Sequence, residues 1–206
     1  VRIELDEWAS QGREVHRAAT ILAGGGVLAI PTDSGYAFAC DLNHGKAIDR
    51  LHELKQSPRS HPLSIILAAV DDVGKYTSYV SSTSYRTLKR LLPGPYTFIL
   101  EAGPEIPKRM QKKRREVGIR VPLAEIPRRI AEELGRPLVC TSVRAVDEDG
   151  EEIFVVDPID IERQYGVKLD AVVDGGLGLS NPTTVVDLTC TPFEVLREGQ
   201  GSIDLF

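Results

Sequence analysis

Val15, Ala18, Ala19 and Leu22 recur at the i, i+3, i+4, i+7 spacing of one helix face, and Gly24, Gly25 and Gly26 then stop that helix. Val27 to Ile30 follows as a short buried strand. A second helix is predicted from about Lys46 to Lys55, with Ile48, Leu51 and Leu54 inward and Asp49, Arg50 and Glu53 toward water. Pro58 and Pro62 end it. Leu63 to Leu67 reads as a strand, and Tyr85, Leu88, Leu91 and Leu92 mark a third helix closed by Pro93 and Gly94.

Tyr96 to Glu101 and Glu116 to Val121 are predicted strands on either side of a basic segment, followed by a helix through Ile126, Ile130 and Leu134 that Gly135 ends. Pro137 to Thr141, Ala171 to Val173, Thr183 to Leu188 and Phe193 to Arg197 supply further strands, with a polar loop at Asp147 to Glu152. Strand and helix alternate, so the class is α/β or α+β. The last strands come with little helix between them. A mixed parallel and antiparallel open sheet with flanking helices is therefore expected.

The 206 residues form one domain on this reading, residues 1–206, without repeat or linker. A chain of this length buries roughly 70% of its unfolded surface, enough to fold without disulfides or a structural metal. No apolar run approaches the roughly 18 residues of a membrane span. Cys40, Cys140 and Cys190 are widely spaced and odd in number, which favours reduced thiols and a cytoplasmic setting. The net charge of −5 argues against coating nucleic acid or lipid through bulk electrostatics. Against it stands one basic run, PKRMQKKRR, with Lys108, Arg109, Lys112, Lys113, Arg114 and Arg115.

The glycines at 24–26 are better read as a helix stop than as a phosphate cradle, because a cradle opens a helix and these close one. His16, His44, His52 and His61 lack metal-ligand spacing, and no nucleophile elbow or common nucleotide fingerprint is present. The informative residues are polar clusters beside strands: Pro31 to Tyr36, Lys55 to Arg59, Gly118 to Pro122, Thr141-Ser142 and Pro182 to Asp187. Hydroxyls and cations at strand ends are what an open sheet uses to hold a small anionic ligand.

Together and in this order, the clusters resemble the YrdC/YciO family, whose best-known members are threonylcarbamoyl-AMP synthases. The strings that carry the resemblance are PTDSGYAFAC, LKQSPRSHPLSIIL, LLPGPYTFIL, VGIRVP, PTTVVDLT and VLREG, from about Ala18 to Gly199. It implies a twisted mixed sheet with a concave basic cleft. There ATP with Mg²⁺, L-threonine and bicarbonate would give threonylcarbamoyl-adenylate and pyrophosphate, the adenylate being the precursor of a modified tRNA adenosine. By resemblance, Ser34, Arg120 and Thr184 are expected at threonine, and Lys55, Ser142 and Arg197 at the nucleotide. No catalytic side chain and no protein-held metal is implied.

The chain departs from the synthase pattern at several positions and is closer to the YciO-like branch. The K-x-R signature ends in Ser57, with Arg59 nearby as a substitute at the nucleotide. S-x-N reads Ser142-Val143-Arg144, a pocket histidine is replaced by Ile66, and Cys140 stands where a small residue or threonine is usual. These departures support an alternative: a tRNA or double-stranded RNA binder of altered chemistry, its phosphates held by Arg144 and by Lys108, Arg109, Lys112, Lys113, Arg114 and Arg115.

Overall fold

The computed structural model describes residues 1–5, 12–55, 63–110, 115–146 and 149–206. The strands are β1 (Arg2–Glu4), β2 (Val27–Thr32), β3 (Gly35–Asp41), β4 (Ser64–Ile66), β5 (Tyr96–Glu101), β6 (Glu116–Arg120), β7 (Leu138–Ser142), β8 (Arg144–Val146), β9 (Glu152–Phe154), β10 (Ala171–Asp174), β11 (Thr184–Asp187) and β12 (Glu194–Arg197). The helices are α1 (Gly12–Ala23), α2 (Gly45–Leu54), α3 (Val73–Tyr76), α4 (Ser82–Leu91), α5 (Glu125–Leu134) and α6 (Pro158–Tyr165). Ten strands form one mixed sheet in the order β1-β10-β2-β3-β7-β4-β6-β5-β11-β12, and β8 pairs with β9 in a separate hairpin. Among the described residues no helix is long and apolar enough to cross a membrane.

Each apolar stripe finds its partner. Val15, Ala18, Ala19 and Leu22 of α1 and Ile126, Ile130 and Leu134 of α5 pack on one face of the sheet, against Leu28, Ile30, Ala37, Ala39 and Leu138. On the other face, Ile48, Leu51 and Leu54 of α2 join Tyr36, Phe38, Phe98 and Ile119. Because strand side chains alternate, β3 feeds both clusters, Tyr36, Phe38 and Cys40 on one face and Ala37 and Ala39 on the other, which is why it is buried at all seven positions.

Among the described residues, the short α3, β8 and β9 have no counterpart in the sequence reading, and neither do β3, α6 and β1. The β3 strand carries no polar alternation, so it reads as the tail of the Pro31 to Tyr36 turn. The α6 helix is short, yet it has the Asp157 N-cap accepting from Ile159 N at 2.8 Å and Pro158 in its first turn. Its Tyr165 ring meets Phe38 edge-on at 5.1 Å. The three-residue β1 strand pairs in parallel with β10 at the sheet's end.

The α1–α5 pair covers only part of its face. Beyond it lie β4, β6, β5 and β11, whose registers set Ser64 beside Gly118, Ile99 beside Gly118, and Val185 beside Thr97. Ser64, Thr97, Ile99 and Val185, with Arg120 and Cys140, form the floor of an open cleft of about 200 Å³.

Candidate anion-binding cleft

Ser34, Lys55, Arg120, Ser142, Arg144 and Arg197 all line this cleft, joined by Ser64, Thr97, Cys140, Thr141, Glu152 and Thr183. Residues remote in sequence therefore meet in one cleft.

The Pro31–Gly35 turn is held in several directions. Thr32 Oγ1 donates to Gly35 O at 2.6 Å and accepts from Ser34 N at 3.2 Å. Gly35 has φ +109, and a Cβ there would also lie 2.6 Å from Leu179 O, so no other residue fits the turn without strain. Arg120 Nη2 donates to Ser34 Oγ at 2.8 Å and to Asp33 Oδ1 at 2.9 Å, while Asp33 Oδ2 accepts from Leu123 N at 2.8 Å. The Arg120 and Asp33 side chains are 8% and 9% exposed, so this is a buried ion pair that fixes both groups. Arg120 Nε is buried and has no hydrogen-bond partner. Burial pushes the nearby Cys140 thiol up, while the charges of Arg120 and Lys55 pull it the other way.

On the far wall, Thr183 Oγ1 lies 2.8 Å from Thr97 Oγ1. Arg197 donates to Thr183 O from Nε at 3.1 Å and from Nη2 at 2.8 Å. Burial, followed by the Arg144 and Arg120 charges, pulls the Arg197 guanidinium below its usual range. The cleft thus concentrates positive charge where hydroxyls converge. Gly118 makes room for the Ser64 side chain: a Cβ there would come 2.5 Å from Ser64 Oγ.

Two expectations need correction. Thr184 is fully buried and faces away from the cleft; its Oγ1 donates to Gly201 O at 2.6 Å and accepts from Gly199 N at 2.9 Å. Strand alternation gives the cleft to Thr183 and Val185 instead. Nor do the described residues of the basic run extend the cleft. Arg109 donates to Gly45 O at 2.9 Å and Asp49 Oδ2 at 2.6 Å, at the start of α2 on the opposite face. Arg115 lies with Glu101 and Glu116, at the other end of β6 from Arg120, and Lys108 sits in the short turn before it, also outside the cleft. Ser57, Arg59, Lys112, Lys113 and Arg114 lie outside the described residues.

Sequence reasoning missed Asp33, Glu152, Thr183 and Gln200 as site residues. Thr183 was recoverable from the period of two along β11. Gln200 was not: its Nε2 donates to Asp33 O at 3.0 Å and to Asn181 O at 2.6 Å, a clasp visible only in three dimensions.

Comparison with known proteins gives the family of the chain. The profile of the Sua5/YciO/YrdC family, described as "Telomere recombination", matches residues 20–199. The YciO protein of Escherichia coli is 36% identical over 197 residues, 95% of this chain and 94% of that protein. This chain belongs to the Sua5/YciO/YrdC family. The crystal structure of E. coli YciO superposes with a TM-score of 0.89 at 34% identity, covering 100% of this chain and 97% of that one. A threonylcarbamoyl-AMP synthase of Halorhodospira halophila is 29% identical over 84% of this chain and 89% of its own length. The family fold extends to P. abyssi Sua5, solved in complex with L-threonine, at a TM-score of 0.88 and 24% identity, over 97% of this chain and 57% of that one.

Proposed function

We propose that the cleft binds ATP with its Mg²⁺ together with L-threonine, and that with bicarbonate it forms threonylcarbamoyl-adenylate and pyrophosphate. The observation that carries this reading is the convergence of Arg120, Arg144, Arg197 and Lys55 on one hydroxyl-lined cleft. A threonylcarbamoyl-AMP synthase among the relatives supports the substrate class. Threonine and bicarbonate combine as a carbamate with loss of water; a carbamate oxygen then attacks the α-phosphorus and pyrophosphate leaves. Such a reaction needs in-line positioning and charge stabilisation more than a proton-transferring side chain.

In this reading Ser34 and Arg120 orient the amino acid, Arg120 through a guanidinium already locked by Asp33. Thr183 takes the place expected for Thr184. Lys55, Ser142 and Arg197 hold the nucleotide, and Mg²⁺ arrives as the counter-ion of its phosphates. RNA binding is the weaker account, since Arg109 is engaged by Gly45 and Asp49 and Arg115 lies at the far end of β6, both away from Arg144.

Calorimetric titration of ATP with Mg²⁺, with and without L-threonine, tests the reading, followed by product analysis after bicarbonate is added. Saturable ATP binding and threonylcarbamoyl-AMP are expected. Absence of ATP binding would overturn it.

A further inference from the structure

Glu152 is an acidic side chain on the wall of a cleft that otherwise gathers cations. In the β8–β9 hairpin Arg144 stands directly opposite Phe154, and Val146 opposite Glu152. Arg144 and Glu152 are therefore diagonal neighbours on one face, within reach of long side chains. Arg144 Nη1 donates to Glu152 Oε2 at 2.6 Å, and the guanidinium lies over the Phe154 ring at 4.8 Å. Behind it, Tyr165 Oη donates to Arg144 O at 2.6 Å and anchors the backbone. Arg144 is thus held in place before any ligand arrives.

The other guanidiniums of the cleft are held differently. Arg120 is paired with Asp33 in a buried bridge, whereas the Arg197 hydrogen bonds to Thr183 use a carbonyl and a hydroxyl, both uncharged. The Arg144–Glu152 pair is partly open to water, at 34% and 54% side-chain exposure, so it can exchange partners where the buried pair cannot.

We infer that Glu152 is a displaceable internal counter-ion for Arg144, released when a polyphosphate bridges Arg197 and Arg144, and that it sets how much phosphate charge a ligand needs to bind. The inference rests on the nucleotide reading above and deepens it. A monophosphate satisfied at Arg197 leaves the pair intact; a triphosphate reaching Arg144 must break it. Glu152 therefore weakens the longer ligand selectively, which also favours departure of pyrophosphate.

The test is calorimetric titration of ATP, AMP and inorganic tripolyphosphate into the wild type, Glu152→Gln, Arg144→Gln and the double variant. Thermal melting of each checks folding. Glu152→Gln is expected to tighten ATP and tripolyphosphate by roughly two- to fivefold, the scale of an exposed pair, and to leave AMP unchanged. In the Arg144→Gln background that gain is expected to vanish. An equal gain with and without Arg144 would overturn the inference, leaving only general repulsion; so would unchanged or weaker ATP binding in Glu152→Gln. If neither ATP nor tripolyphosphate binds any of the proteins, the nucleotide reading falls and the inference falls with it.

Discussion

Ala37 and Ala39 on one half of a sheet face, and Ser64, Thr97 and Arg120 on the other half, differ in what lies above them. The first half is roofed by α1 and α5, and its side chains are apolar and close-packed against the two helices. Among the described residues, no helix packs on the second half. Its side chains are hydroxyls and a paired guanidinium, which tolerate water and can exchange it for a ligand. One backbone layer thus supports stability and recognition side by side, and the boundary runs along β7 and β4. There, Leu138 and Ile66 lie under α5, while Cys140 and Ser64 already belong to the cleft.

The comparison breaks most sharply at Arg120. Arg120→Ala strands the Asp33 carboxylate in a buried site and is expected to cost about 3 to 5 kcal/mol of stability as well as ligand binding. Chemical denaturation reads the first effect and calorimetry the second; unchanged stability would remove the buried pair from the account. The roofed half should behave oppositely. Leu22→Ala, at a fully buried position of α1, is expected to lose about 2 to 5 kcal/mol of stability while the folded fraction binds ATP as the wild type does. A changed dissociation constant would mean that the halves are coupled.

The smallest effect concerns Tyr36, whose hydroxyl donates to Gly176 O at 2.8 Å and accepts from Gly175 N at 3.2 Å, tying the loop after β10 to β3. Burial pushes its phenol up to about 12 from the usual 10. Between these values the folded state keeps a proton that the unfolded state has lost, so this contribution is complete below pH 10 and disappears as pH rises toward 12. Tyr36→Phe should flatten that part of the stability–pH curve measured by denaturant titration. An identical slope in both proteins would assign the loss to other groups.

Much of the fold was legible because amphipathic stripes on α1, α2 and α5 are long enough to show their period. The β3 strand was hidden by its success: buried on both faces, it is apolar from Tyr36 to Cys40, with no polar positions in that run to alternate with apolar ones. The cleft's arginines at 120, 144 and 197 and the hydroxyl of Ser34 could be picked out as chemistry, by motif order. Their partners could not, since Asp33 and Glu152 look like any surface carboxylate until the sheet brings Arg120 and the hairpin brings Arg144 to them. Thr184 was misplaced by one residue. In a strand that single step exchanges the cleft for the core.

The Gln200 clasp has a consequence for how the protein is made. Its amide reaches Asp33 across 167 residues of chain, and Arg197 and Thr183 complete the same wall. A ribosome that has delivered the first turn needs roughly ten to thirty seconds more to deliver the residue that closes over it, at ordinary elongation rates. During that interval the nascent polypeptide can bury its roofed half while the ligand site is still open on one side. Closure of this wall therefore follows a stage at which the roofed half can already have packed.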